Sequence, residues 1–253
     1  MSFKNHISSQ VERAKKELSL FEYILWWVMR SMMIVALICA IRTRSTMTWV
    51  MIGANLAVMF IIPLFSFIFP NKTFFGRLPF RVQTYIDLFV IAGSFFGQFI
   101  NLYRFEGVFD KALHVVSGFV TVFIGYELMK VVEPKKQLTK KTGVFGGFMF
   151  SYFVMIMWEV FEFFSDFILN SNNQAYTKRF CEEVYTDNYF FIKIFGRGNA
   201  GAEQLPVFDT MIDILAAVVG SFIALAVMMI FIKEKKTQNT EIAYEEEKEE
   251  ATL

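Results

Sequence analysis

Apolar positions in this chain fall in long unbroken blocks separated by short polar stretches, a helical rather than a strand-like rhythm. Six blocks, at about 22–41, 46–69, 82–103, 111–130, 143–169 and 207–232, each approach or exceed the ~20 residues an α-helix needs to cross bilayer hydrocarbon. Ahead of the first, Phe3, Ile7, Val11, Ala14 and Leu18 recur at helical spacing with Lys4, Arg13, Lys15 and Lys16 among the polar positions. That pattern predicts an amphipathic helix lying on the membrane surface. Pro63 and Pro70 are expected to kink and then end the second span. The chain closes with a Glu-rich run, Glu245 to Glu250, which predicts a disordered tail. The expected organisation is all-α: a surface helix over 1–20, a six-helix transmembrane domain over 21–232 with a long connection at 170–206, and an acidic tail over 233–253.

Composition agrees with this class. Apolar residues make up 55% of 253, and 32 of them are Phe. A net charge of +1 gives no reason to expect nucleic acid as a partner, and two cysteines are too few for a disulfide scaffold or a thiolate metal site. The first apolar block follows a mixed-charge segment and lacks a small-residue cleavage site, so it reads as a retained span.

The distribution of charge carries more than its sum. With six spans, the side holding both termini collects sixteen Lys and Arg, including Lys15, Lys16, Arg77, Arg81, Lys135, Lys136, Lys140 and Lys141, against eight on the other. The positive-inside rule then puts both termini in the cytoplasm of a multi-pass protein in the cell membrane. The 170–206 connection faces out and mixes charge with Tyr185, Tyr189, Phe190, Phe191 and Phe195. A connection this long is either a lid over a site or a segment resting on lipid headgroups, the second being favoured slightly.

Ionisable groups at membrane depth are functional suspects. Glu159, Glu162 and Asp166 share one helix face in the fifth span, at i, i+3 and i+7. Asp110 and His114, and Asp209 and Asp213, are i, i+4 pairs at the outer starts of the fourth and sixth spans. At 1.5 Å per residue, Glu162 lies roughly 10 Å and Glu159 roughly 15 Å below the outer end of their helix, and His114 and Asp213 roughly 6–9 Å below theirs. Five carboxylates, Asp110, Glu159, Glu162, Asp209 and Asp213, cannot all stay ionised at low dielectric without compensation. A divalent cation, retained protons, or neighbouring Lys and Arg would each supply it. Carboxylates with one imidazole suit Zn, Mn, Fe or, with less His character, Mg.

Each residue also has a plainer role. Asp110 and Asp209 stand where helix N-caps would be, His114 suits a satisfied core histidine, and Asp166 suits a solvated helix end. Arg30, near midplane, is placed to pair with Glu159, and Lys111 and Arg104 to neutralise the outer rim. Asp87 and Glu127 are expected to pair with Arg81 and Lys130. Gln98 and Asn101 read as polar glue between helices.

Asp110-Lys111 with His114, Trp158-Glu159 with Glu162, and Asp209-Thr210 with Asp213, in this order on successive outer helix ends, resemble the YjdF-like family of bacterial inner-membrane proteins, and more distantly the VanZ-like proteins. The likeness covers roughly Tyr85 to Ile232. The first resemblance implies a bacterial cytoplasmic-membrane location and no established reaction; the second implies a role at the envelope in glycopeptide resistance.

Three functions follow. The first is a metal-dependent enzyme acting at the outer face on a lipid or lipid-linked envelope substrate, with His114, Glu159, Glu162 and Asp213 as catalytic groups and Asp110, His114, Glu159, Glu162, Asp209 and Asp213 as the metal-ligating set. The second is a proton- or cation-coupled transporter, whose inner path would need Asp87 and Glu127. The third is a non-catalytic scaffold or interaction protein. Membrane lipid is the expected partner in all three; the sequence leaves the oligomeric state open.

Overall fold

The computed structural model describes residues 3–43, 46–105, 108–132, 138–169, 173–174 and 205–232. The acidic tail and all of the 170–206 connection except Asn173, Gln174 and the first two residues of the last helix lie outside the described residues. Among those described, all regular structure is helical: α1 Phe3–Glu17, α2 Leu20–Thr43, α3 Thr46–Val58, α4 Ile61–Ile68, α5 Phe80–Val90, α6 Val108–Val132, α7 Lys140–Leu169 and α8 Leu205–Phe231. Helices α2, α6, α7 and α8 are long and apolar enough to cross a membrane, and α3 with α4, bent by 50° at a break, makes a fifth candidate. The expected span at 82–103 is divided: α5 stops at Val90 and continues with π geometry over Ile91–Phe99.

The α1–α2 junction carries a capping box that explains why the chain breaks there. The Ser19 N–H donates to Glu22 Oε2 at 2.8 Å while the Glu22 N–H donates to Ser19 Oγ at 3.1 Å, serving free donors at the start of α2. Polar side chains of α1 are fastened to α4 and the turn before α5. Arg13 donates to the Gly76 carbonyl at 2.6 Å, the Leu78 carbonyl at 2.9 Å and Ser66 Oγ at 3.1 Å. His6 Nε2 meets the Ser66 carbonyl, one of the unpaired acceptors in the last turn of α4, at 3.1 Å. Glu17 accepts the Phe80 N–H at the start of α5 at 2.7 Å.

The break between α3 and α4 follows from Pro63, yet it falls one turn earlier, at Met59 and Phe60. Proline has no N–H, so the Met59 carbonyl four residues back loses its partner. Arg30 of α2 donates to that carbonyl. The neighbouring ladder bond, from the Ile62 N–H to the Val58 carbonyl, is opened and refilled by one carboxamide. Gln83 of α5 accepts from the Ile62 N–H at 2.9 Å and donates to the Val58 carbonyl at 3.2 Å. Gln83 also donates to Asp87 at 2.6 Å, and Asp87 pairs with Arg30 at 3.3 Å. Trp26 and Phe60 flank the Arg30 guanidinium at 4.7 and 4.5 Å.

Two sequence expectations are corrected here. Arg30 pairs with Asp87 and not with Glu159, because the interrupted helix draws it to the Met59 carbonyl on the α2–α5 side of the molecule. Arg81 leaves Asp87 for Glu22, 3.4 Å away, and the Glu17 carbonyl. Glu127 pairs with Lys130 at 2.7 Å, as expected.

Helices α6, α7 and α8 form a tight cluster, and small residues set its register. A side chain on Gly118 of α6 would collide with the Ala217 carbonyl group of α8, and one on Gly220 of α8 with that of Val115 of α6. Close backbone approach of this kind drives helix association where no water is available to be released. Below Gly118, the hydroxyls of Thr121, Ser151 and Ser221 join one another and the Gly118 carbonyl, with Ser151 to Ser221 at 2.7 Å.

Candidate functional site

The Gly118–Ala217 contact positions the chemistry one and two turns away. Helices α6 and α8 run parallel, so stepping back four residues on each sets His114 against Asp213, and another four sets Asp110 against Asp209. Helix α7 runs the opposite way and brings its buried face, Glu159, Glu162 and Asp166, to the same end, while Phe161, Phe164, Phe167 and Ile168 stay exposed on the lipid side. The six expected site residues therefore converge, and five of them are buried. Asp110, partly exposed, is the rim.

Lys111 is the hub of the α6–α8 side. Expected at the outer rim, it is 3% exposed, and its Nζ lies 3.1 Å from Asp110, 2.6 Å from Asp209 and 2.7 Å from Asp213. Burial is tolerable because the ammonium is surrounded by opposite charge. Asp110 and Asp209 fall inside α6 and α8 and bind this lysine, so their charge is directed at a side chain as well as the helix start. Arg104, also expected at the rim, stacks on Phe105 at 4.9 Å.

His114 stands between the helices. Its Nε2 lies 3.5 Å from Asp213 Oδ1 and 3.9 Å from Asp110 Oδ1, and its Nδ1 lies 4.0 Å from Glu159 Oε1. These separations exceed hydrogen-bond length. Glu159 Oε1 is buried and accepts no hydrogen bond, whereas both oxygens of Asp213 lie 2.7 Å from the Lys111 ammonium. Among the described residues no Lys or Arg pairs with Glu159 or Glu162. Trp158, one turn back on α7, donates its indole N–H to Glu162 Oε1 at 2.7 Å.

Sequence reasoning missed Gln174 and misjudged Asp166. Asp166 is 3% exposed, not solvated: it accepts the backbone N–H groups of Asn173 and Gln174 at 2.7 and 2.8 Å, folding the chain back over the end of α7. That fold-back drops the Gln174 carboxamide between Glu159 Oε2, at 3.3 Å, and Thr210 Oγ1, at 3.1 Å. Nothing in the sequence marks a polar residue beyond a helix end as a site neighbour. Trp158 was legible, since i and i+4 positions of a helix touch. Gln98 and Asn101 are exposed and line no part of the cluster; Asn101 turns the chain with φ of 66°.

Two sets of side chains are grouped closely enough to hold an ion: Asp110, His114 and Asp213, and Glu159, Glu162 and Asp213, with the ligand atoms of each set within 4.8 Å of one another. A buried carboxylate oxygen without a hydrogen-bond partner, Glu159 Oε1, and an excess of carboxylate over ammonium are the donor chemistry that a hard or borderline cation takes.

The chain is 30% identical over 122 residues to a Thermotoga maritima protein described as "Uncharacterized protein", an alignment covering 45% of this chain and 57% of that one. No solved structure matches. The likeness to VanZ-like proteins gains no support from these comparisons. A family model described as "Predicted membrane protein (DUF2238)" matches residues 24–234, which take in α2 from Ile24 onward, the other membrane-length helices and all of the cluster. The chain belongs to that family of membrane proteins.

Proposed function

We propose that the cluster binds a divalent cation and serves a metal-dependent enzyme acting on a lipid or lipid-linked substrate at the outer face of the membrane. The observation that carries this reading is Glu159 Oε1, buried, without a hydrogen-bond donor, and facing Glu162, Asp213 and His114. A buried anionic oxygen left this way is costly unless a cation or proton occupies the space it faces. His114 and a carboxylate not engaged by the ion are the candidate general bases. The reading counts α5 with its π-helical continuation, 11 and 9 residues, as the remaining crossing. With six crossings, the Lys and Arg asymmetry directs the cluster away from the cytoplasm and leaves α1 on the inner surface.

The transporter reading is weakened on its own terms. Its inner path rested on Asp87 and Glu127, and these are paired with Arg30 and Lys130. Metal content of the purified protein separates the readings, measured for the wild type beside Glu162→Ala. Stoichiometric metal that is lost in the variant is expected. Absence of metal together with pH-dependent ion uptake into vesicles would favour transport. Absence of both, with Glu162→Gln folding normally, would favour a scaffold.

A further inference from the structure

We propose that the cluster is built for two divalent cations bridged by Asp213, and that the group it takes is a phosphoryl group. This deepens the reading above and rests on it. His114 turns Nε2 toward Asp110 and Asp213 and Nδ1 toward Glu159, on the other side of the ring. One ion cannot bond both ring nitrogens, so the histidine partitions the donors into two sets, and Asp213 belongs to both. Asp213, buried and common to both sets, is the carboxylate placed to bridge.

Charge points the same way. The Lys111 ammonium, shared by Asp110, Asp209 and Asp213, offsets one of the five carboxylate charges of Asp110, Glu159, Glu162, Asp209 and Asp213; the four left over match two divalent cations. Each ion would have three protein ligands and open positions besides. Paired ions about 3.5–4 Å apart are the arrangement that clamps two oxygens of one phosphoryl group. An anionic group would be repelled by the bare carboxylates, so its entry requires the ions first.

The test uses the full chain in detergent, stripped with chelator and reloaded with Mn²⁺. Metal per chain and the electron paramagnetic resonance spectrum are recorded. The expected result is two Mn²⁺ per chain with an exchange-coupled spectrum, falling to one uncoupled Mn²⁺ in Glu162→Gln and, from the other side, in Asp110→Asn. The Asp110 variant sits on the partly exposed rim and keeps the test alive should the Glu162 variant fail to fold. Inorganic phosphate is expected to raise Mn²⁺ affinity at least tenfold in the wild type alone. Phosphatidic acid in nanodiscs, run beside phosphatidylcholine, is expected to do the same if the phosphoryl group belongs to a lipid; an effect of free phosphate only would assign a soluble ligand. One Mn²⁺ per chain overturns the two-ion site and leaves the preceding reading standing. None overturns both. Two Mn²⁺ per chain, indifferent to phosphate and phosphatidic acid alike, overturns the phosphoryl assignment.

Discussion

Two buried polar clusters sit in this molecule, and they differ in whether their charges are balanced. In the α2–α5 half, Arg30, Gln83 and Asp87 answer a local need: Pro63 opens the α3–α4 backbone, and the guanidinium and carboxamide serve the groups it frees. One cation faces one anion, although Arg30 Nε and Asp87 Oδ2 are left without hydrogen bonds. In the α6–α8 half, the lysine is shared among three aspartates while Glu159 and Glu162 have no Lys or Arg partner among the described residues, and no interrupted helix needs them. Polar side chains at membrane depth are therefore not equal evidence of function. A set closed in charge is explained by the scaffold, and one left open in charge is where we propose an occupant.

The largest expected effect tests the closed set. Asp87→Ala leaves the Arg30 guanidinium buried with no carboxylate, and removing one partner of a buried pair costs about 3–5 kcal/mol. The midpoint of thermal unfolding in detergent should fall sharply, with loss of folded protein on purification. Glu162→Gln in metal-stripped protein should change stability by about 1 kcal/mol or less, because it removes a charge that nothing balances. If the two variants lose stability equally, the distinction between the clusters is wrong.

A second effect links packing to the site. Gly118→Val drives two methyl groups into the Ala217 carbonyl, which must separate α6 from α8. Overpacking of this kind costs about 1–3 kcal/mol. The same shift disturbs the pairing of His114 with Asp213 one turn away, so Mn²⁺ affinity should fall at least tenfold in whatever protein folds. Leu113→Ala, on the same helix but outside the seam, should lower stability without an equal loss of metal.

How much of this was legible in the sequence depends on how local the cause is. The convergence of Asp110, His114, Glu159, Glu162, Asp209 and Asp213 followed from helical periodicity and from one estimate of depth per span, both properties of single segments. Arg30 was misassigned because its partner is chosen by a broken hydrogen-bond ladder on another helix. Reading that required following Pro63 back to Met59 and asking what replaced the missing donor. Gln83 was overlooked for the same reason, although its i, i+4 spacing from Asp87 was visible. Asp166 was misread because helix ends were assumed wet, whereas the chain folds back and offers it two N–H groups. Lys111 was placed correctly in sequence and wrongly in depth: the three aspartates that keep it buried come from two helices.

The smallest expected effect sharpens the comparison most, because the same substitution can be made in both clusters. Trp158 donates its indole N–H to Glu162 at 2.7 Å, and Trp26 donates its own to Thr84 at 2.8 Å. Changing either to Phe keeps an aromatic ring and removes one hydrogen bond, worth about 0.5–1.5 kcal/mol. Trp158 packs edge-on against Phe89 and tilted against Phe161, contacts that a phenyl ring retains in part. Trp26 flanks Arg30, so Trp26→Phe should appear as a modest fall in unfolding midpoint with Mn²⁺ affinity unchanged. Trp158→Phe should lower the midpoint by a similarly modest amount and in addition weaken Mn²⁺ about 10-fold, because a donor that orients a ligating carboxylate acts on the metal through it. Titration of both stripped proteins with Mn²⁺, beside their unfolding curves, reads the two effects separately. Equal metal losses in both variants would mean that the α2–α5 cluster is coupled to the site after all.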